Sequence, residues 1–274
     1  MERLPLHSRD GLRLSAGQWR PAGTPRGEVV LLHGLAEHIG RYEHVGAALA
    51  SAGYRVLAVE LRGHGRSDGP RGHVAAWEDY VADARALIDQ LEGDRWALLA
   101  HSMGGLVAME LLREGGLSTP PLGMILSGPL LGVAVKVPAW KSAMGRQLSR
   151  WLPTFSLPSG LEPANISSDP AVVRAYVEDP LVYPTVTARW FTEMSAAIAR
   201  SEAFTPALPM WIGWGDEDRI VSIDAIQALV GRAPQAQVHP WPGMRHEILN
   251  EPAQGRVIAS MRAWLDDRFE GREA

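Results

Sequence analysis

The chain predicts an α/β fold: a mostly parallel sheet covered by helices on both faces and entered through an antiparallel hairpin. Three observations carry this. Short apolar runs alternate with stretches of helical apolar spacing, the pattern of strands joined by crossover helices. The runs are apolar throughout, as strands covered on both faces require. A length of 274 residues with 46% hydrophobic content supplies one large core.

Residues Arg3–Arg20 alternate around Asp10-Gly11 and read as a hairpin at a sheet edge. Gly27–Leu32 is a short buried strand ending in His33-Gly34. Arg41–Ser51 has helical spacing (Tyr42, Val45, Leu49), with Gly53 just past its end as a stop. Tyr54–Val59 is a second buried strand, followed by the Gly-rich loop Leu61–Pro70 and a helix over Trp77–Leu91. A strand–turn–helix unit spans Trp96–Leu111, and another strand covers Leu122–Leu126. From 130 to 205 the alternation stops, and Pro, Trp and Ser dominate. It resumes with a strand at Met210–Trp214, a helix at Asp224–Val230, a strand near Gln237–Trp241 and a last helix at Pro252–Phe269. Residues 1–129 and 206–274 are therefore expected to form the core, with 130–205 inserted above the sheet as a helical cap.

Composition excludes several classes. There is no cysteine, hence no disulfide, thiolate metal site or cysteine nucleophile. A net charge of −4 recommends no nucleic-acid partner. The first ten residues are too polar for a signal peptide, and no apolar run of about eighteen residues could span a bilayer. A soluble cytoplasmic protein is the expectation.

The chemistry concentrates in Ala100-His101-Ser102-Met103-Gly104-Gly105, where the strand from Trp96 gives way to the helix carrying Leu106, Val107 and Met109. A serine held between a strand end and a helix start, with small residues two positions either side, has the form of a nucleophile elbow, because bulky flanks would strike the adjoining strand and helix. The first flank is Ala100 where glycine is usual. A serine hydroxyl needs a base, and the base an orienting acid. Loops leaving the carboxyl ends of parallel strands are where such groups gather. Two late loops qualify: Trp214-Gly-Asp-Glu-Asp-Arg219, offering Asp216 and Asp218, and Met244-Arg-His-Glu-Ile248, offering His246. His239 is a rival base, but it lies inside a strand pattern. An oxyanion hole needs backbone N–H donors. Met103, directly after the serine, supplies one and Leu35, after His33-Gly34, the other. His33, His64 and His101 read as structural rings that brace neighbouring loops.

On these residues the chain resembles the α/β-hydrolase superfamily, and within it the monoacylglycerol lipase and lysophospholipase-like group. The matching stretches are His33-Gly-Leu-Ala-Glu-His38 with Arg41-Tyr42, Gly63–His73, His101–Gly105, Gly215-Asp-Glu-Asp-Arg219 and His246. The resemblance runs from the first strand to the last helix and is weak over 130–205. It implies Ser102 as nucleophile, His246 as base, the aspartate before Arg219 (Asp218) as acid, and the Leu35 and Met103 amides as oxyanion donors. It also implies cleavage of single-chain acyl esters such as monoacylglycerols, without cofactor or metal. Lysophospholipase and broad carboxylesterase activities are the near alternatives. Leu35 is bulkier than the family's usual small residue and would narrow the alcohol side.

Within the insertion, Trp140, Met144, Leu148 and Trp151 recur at helical spacing and are expected to share one face and to line an acyl channel. Trp190, Phe191 and Phe204 are candidates for further walls. Lys136, Lys141, Arg146 and Arg150 lie nearby, and no acid occurs between Glu114 and Glu162. A cationic amphipathic segment above an esterase site suggests peripheral contact with lipid; a cap helix packed on the core with a solvated basic face is the plainer reading. An aminopeptidase of the same fold would need cap carboxylates for a substrate ammonium, and Glu162, Asp169, Glu178 and Asp179 are available. A dehalogenase or epoxide hydrolase would carry aspartate in place of Ser102. A non-catalytic receptor would not need a complete serine–acid–base set.

Overall fold

A computed structural model describes residues 1–135 and 139–271, with the backbone alone for 139–142. The hairpin consists of β1 (Glu2–His7) and β2 (Arg13–Trp19). Next come β3 (Gly27–Leu32), a 3-10 turn at Ile39–Tyr42, α1 (Glu43–Ser51), β4 (Tyr54–Glu60) and α2 (Trp77–Ile88). The elbow unit is β5 (Trp96–His101) with α3 (Met103–Glu114), followed by β6 (Met124–Ser127). Residues 130–205 hold α4 (Ala139–Trp151), β7 (Ser156–Pro158), a 3-10 turn at Pro163–Asn165, α5 (Pro170–Glu178), β8 (Thr185–Thr187) and α6 (Ala188–Glu202). The chain closes with β9 (Met210–Gly215), α7 (Ile223–Arg232), β10 (Gln237–Trp241) and α8 (Gln254–Glu270).

Eight strands form one sheet in the order β1-β2-β4-β3-β5-β6-β9-β10. β2 is antiparallel to both neighbours and the rest are parallel. This is the expected fold, hairpin included. Strand geometry explains the continuous apolar runs, since successive side chains leave on opposite faces. Val30, Leu32, Leu98 and Ile212 face one core with Trp77 and Leu87 of α2, Met109 of α3 and Leu229 of α7. Val29, Leu31, Leu99 and Trp211 face a second core with Val45 and Leu49 of α1 and Met261 and Trp264 of α8. Each outer strand carries a proline: Pro5 in β1 and Pro240 in β10.

Element boundaries differ from expectation at a few ends. The helix expected from Arg41 opens with a 3-10 turn whose Gly40 N–H donates to His38 Nδ1 at 3.2 Å. The 130–205 segment also contains the antiparallel ribbon β7–β8, three residues per strand, too short to show a period in sequence. Among the described residues, no helix is long and apolar enough to cross a membrane.

β3 and β5 are neighbours whose chains leave toward opposite sides of the sheet, β3 to β4 and β5 to β6. Their carboxyl ends thus open a crevice at the topological switch point. The long loop after β4 is held beside it by charge. Asp83 on α2 accepts from the Arg62 backbone at 2.9 Å and from its guanidinium at 2.7 Å, and Arg62 also reaches Asp10 at 2.9 Å. Asp83 is fully buried. Asp83→Ala leaves Arg62 with Asp10, Asp79 and the Ser8 hydroxyl as remaining partners. Stability in urea titration is expected to fall by about 3 kcal/mol, the low end for breaking a buried pair; a loss under about 1 kcal/mol would contradict this.

Candidate active site

Ser102 sits alone between β5 and α3 with φ 51° and ψ −117°, a conformation L-residues rarely adopt. Holding it costs about 1–3 kcal/mol. The turn is this tight because α3 starts directly against β3. A Cβ at Gly104 would lie under 3.0 Å from the carbonyl oxygens of Leu32 and His33, and one at Gly105 would lie 2.8 Å from Pro129 Cβ. The absence of a side chain at Gly104 is therefore a steric requirement of the helix–strand contact. Ser102 N–H donates to Ser127 O at 3.0 Å, and Ser102 O accepts from Leu130 N–H at 3.0 Å, fixing the turn.

The two late loops deliver their side chains to this serine. His246 Nε2 lies 2.9 Å from Ser102 Oγ, and His246 Nδ1 lies 2.7 Å from Asp218 Oδ2. The other oxygen of Asp218 accepts from the Ile220 and Val221 amides at 2.8 and 3.1 Å, so the carboxylate cannot rotate freely. Asp216 faces elsewhere and accepts from Gly243 N–H at 2.7 Å, bracing the turn after β10. His239 lies on β10, stacked at 4.7 Å on Trp211, away from the serine. Burial pulls the His246 imidazole down, but Asp218 outweighs it and leaves the ring above an ordinary histidine. Burial alone would raise Asp218; the imidazole and two amides hold it below the usual carboxylate range.

Of the two amides expected to form an oxyanion hole, that of Met103 directly follows the serine and that of Leu35 belongs to a segment beside it. Met103 is the first residue of α3, so its N–H has no intrahelical acceptor. A Cβ on Gly34 would lie 3.2 Å from Ser102 Cβ, which sets the Gly34-Leu35 segment beside the serine. Leu35 and Ser102 line the same cavity. The His33 ring ties this loop down: Nδ1 donates to Gly34 O at 2.7 Å and Nε2 accepts from Leu61 N–H at 3.0 Å. The His101 ring packs 4.8 Å from His246, and burial pushes it down to about 3, so it stays neutral.

A buried ionic group under the site went unassigned in the sequence. Glu37 Oε1 accepts from Gly34 N–H and from the Tyr42 hydroxyl, both at 2.6 Å. Arg41 donates to Glu37 at 3.0 Å and to both oxygens of Glu247 at 2.5 and 2.7 Å. Burial would raise Glu37, but Arg41 and the nearby His101 and His33 hold it at about 2. The loop after β3 and the residue after His246 are thus joined through one guanidinium. The visible signal was Glu37-His38 with Arg41-Tyr42; its partner Glu247 lies 206 residues from Arg41, and no local pattern announces that pairing.

Ser102 and His246 open onto a cavity of about 640 Å³. Its apolar wall includes Leu130, Leu148, Val186, Trp190, Phe191 and Met194; Phe204 lies elsewhere, against the core. Of the residues expected on one face of α4, Met144 and Leu148 line the cavity. Trp151 does not and is 72% exposed. The Trp140 side chain lies outside the described residues, as do Lys136 and the Lys141 side chain. Small residues on α4 also pack against α6. Gly145 is buried against Phe191, and Ser149 Oγ lies 2.7 Å from Thr192 Oγ1 on α6. Of the four carboxylates named above as candidates for a substrate ammonium, Glu162 lines the cavity, Asp169 caps α5 by accepting from Ala171 N–H, and Asp179 pairs with His38 at 2.8 Å. Among the described residues no group of three or more His, Cys, Asp or Glu side chains is placed to hold a metal.

The comparisons with known proteins agree with this architecture. Residues 23–253 match the Hydrolase_4 family, described as serine aminopeptidase, S33. The chain is 35% identical to a monoacylglycerol lipase of Mycolicibacterium smegmatis, over 93% of each protein. It is 31% identical to a phospholipase of Bacillus subtilis, over 90% of this chain and 98% of the other. The crystal structure of the Paleococcus ferrophilus monoacylglycerol lipase superposes with a TM-score of 0.85 at 29% identity, covering 93% of this chain and 99% of that one. The chain belongs to the α/β-hydrolase superfamily and, within it, to the Hydrolase_4 family, as a hydrolase of the lipase and esterase kind.

Proposed function

We propose that this protein hydrolyses carboxylic esters bearing a single acyl chain, with monoacylglycerols as the leading substrate class. The observation that carries the reading is the unbroken chain from Asp218 through His246 to Ser102 Oγ, at 2.7 and 2.9 Å, opening onto a largely apolar cavity. Ser102 Oγ attacks the ester carbonyl as His246 takes its proton. The Leu35 and Met103 amides receive the developing oxyanion, each donor being worth about 10²–10³ in kcat in comparable sites. The tetrahedral intermediate collapses, and His246 gives the proton to the departing alcohol. Water, deprotonated by the same imidazole, then attacks the acyl-enzyme and frees the fatty acid. Asp218 keeps the Nδ1–H tautomer in place and stabilises the imidazolium. The name of the matched family keeps an aminopeptidase as the second reading, with Glu162 in the cavity wall for a substrate ammonium.

The 130–205 segment acts in this reading as a cap that walls the acyl site and touches lipid. Trp151, Leu152 and Phe155 are exposed beside Arg146 and Arg150, a composition suited to an interface. Gly145 sets the width of the acyl site. Glycine inside a helix costs about 1 kcal/mol relative to alanine. No crowding demands it here, since a Cβ would meet Phe191 only at 3.7 Å. What the missing side chain leaves is room, and each methylene seated in such room is worth roughly 0.8 kcal/mol.

The test is a panel of monoacylglycerols, lysophosphatidylcholine, graded p-nitrophenyl esters and a proline p-nitroanilide. Wild type is expected to cleave the esters and leave the anilide; the reverse would establish the peptidase. Ser102→Ala and His246→Ala should each lower kcat by on the order of 10⁴. Asp218→Asn should lose far more activity than Asp216→Asn, and equal losses would refute Asp218 as the acid. Because His246 works as the neutral base and Asp218 raises its pKa, kcat/KM should climb with pH through a midpoint above 6.5; full activity at pH 5 would contradict it. Gly145→Leu should lower kcat/KM for decanoyl esters at least about tenfold while changing butyryl esters by less than about threefold. A uniform loss across chain lengths would remove Gly145 from the acyl path.

A further inference from the structure

We propose that Glu251 is a positioning residue for His246, fastening the loop that carries the imidazole to the inner turn of the 130–205 segment. The inference rests on the esterase reading of Ser102 and His246.

Three consecutive amides around the imidazole donate outside their own loop backbone. Arg245 N–H donates to Glu251 Oε1 at 2.7 Å, His246 N–H to Asn165 O at 3.4 Å, and Glu247 N–H to Ile166 O at 2.8 Å. Glu251 then reaches the same turn. Its Oε1 and Oε2 accept from Ser168 N–H at 3.0 and 3.1 Å, and Oε2 also accepts from the Ser168 hydroxyl. Arg245 reinforces the contact by donating to the Ala164 and Ser167 carbonyls, and Ser167 Oγ donates to Asn250 O at 3.0 Å. Residues 164–168 and 245–251 form one hydrogen-bonded plate. Within it, Glu251 is the side-chain acceptor that meets both strips of backbone, and it is only 1% exposed. A carboxylate buried with this many donors is a stiff joint, because releasing it leaves several N–H groups without acceptors. The hydroxyl–imidazole distance tolerates little play; a misplacement of about 1 Å can cost on the order of 10² in rate.

The groups facing His246 determine what a pH profile would read. They are Asp218 from the loop after β9, Glu37 with Arg41 from the loop after β3, His101 at the end of β5, and the adjoining Glu247. Glu162 and Arg219 stand in the wall of the same cavity. With the joint released, the imidazole drifts from Asp218, its strongest acidic neighbour, and the acid limb of kcat/KM moves to lower pH.

The experiment compares wild type, Glu251→Ala, Glu251→Gln and Glu251→Asp on p-nitrophenyl butyrate, with thermal unfolding of each. Glu251→Ala is expected to lower kcat on the order of 10² with KM within about threefold, and to shift the acid limb downward. Glu251→Gln should recover most of kcat, because its amide oxygen still accepts from Arg245 and Ser168 while its NH₂ can donate to the Ser168 hydroxyl. If Glu251→Ala does not fold, Glu251→Asp, one methylene short of the turn, should show the same kcat loss and pH shift in smaller measure. A lowered melting temperature with kcat and the acid limb unchanged would make Glu251 merely structural and overturn the proposal. Wild type inactive on every ester would remove the esterase reading itself, and the inference with it.

Discussion

The contact of α3 with β3 sets the geometry of the whole site. With hydrogen alone at position 104, the helix starts against the carbonyls of Leu32 and His33, and the residue before it is driven to positive φ. That places Ser102 at the open end of the sheet, next to the loop leaving β3, at the one crevice the strand order provides. The strain at Ser102 is tolerable because the flanking strands are wholly buried and bonded on both sides. A sheet with two covered faces supplies that rigidity, and the loops after β9 and β10 bring the acid and the imidazole to a point already fixed.

Around that point the protein buries more charge than a hydrophobic core would favour. Glu37, Arg41 and Glu247 are all nearly removed from water, and taking each ion out of water costs several kcal/mol before pairing offsets it. The return is rigidity: one planar guanidinium, bonded to carboxylates from two loops, fixes their separation more firmly than apolar contacts that slide. Arg41 also lies 4.8 Å above the Tyr176 ring of α5, so the 130–205 segment registers on the same group.

What could be read from the sequence follows the range of each interaction. Strands buried on both faces announce themselves as unbroken apolar runs, and the elbow announces itself because its crowding is local. His246 was legible as a candidate base from its loop. Asp216 and Asp218 could not be separated by residue type alone, since both leave the same strand; the resemblance, through the adjoining Arg219, singled out Asp218, and the fold turns that one toward an imidazole 28 residues later. On α4 the expectation holds for Met144 and Leu148 and fails at Trp151, which carries a strong hydrophobic signal yet is exposed, while Gly145 and Ser149, which pack on α6, carry almost none. Glu37, Arg41, Glu247 and Glu251 look like ordinary surface charges until the loops are brought together.

The prolines of the outermost strands have a consequence for the molecule among its own copies. Each end of an open sheet offers a row of amides and carbonyls to any passing strand, the usual beginning of fibrous stacking. Pro5 and Pro240 each strike one donor from those rows and set a ring where a neighbouring chain would lie. Lateral growth of the sheet is thereby discouraged at both margins, and a crowded solution of this chain is guarded against main-chain polymerisation without any added element to cover its edges.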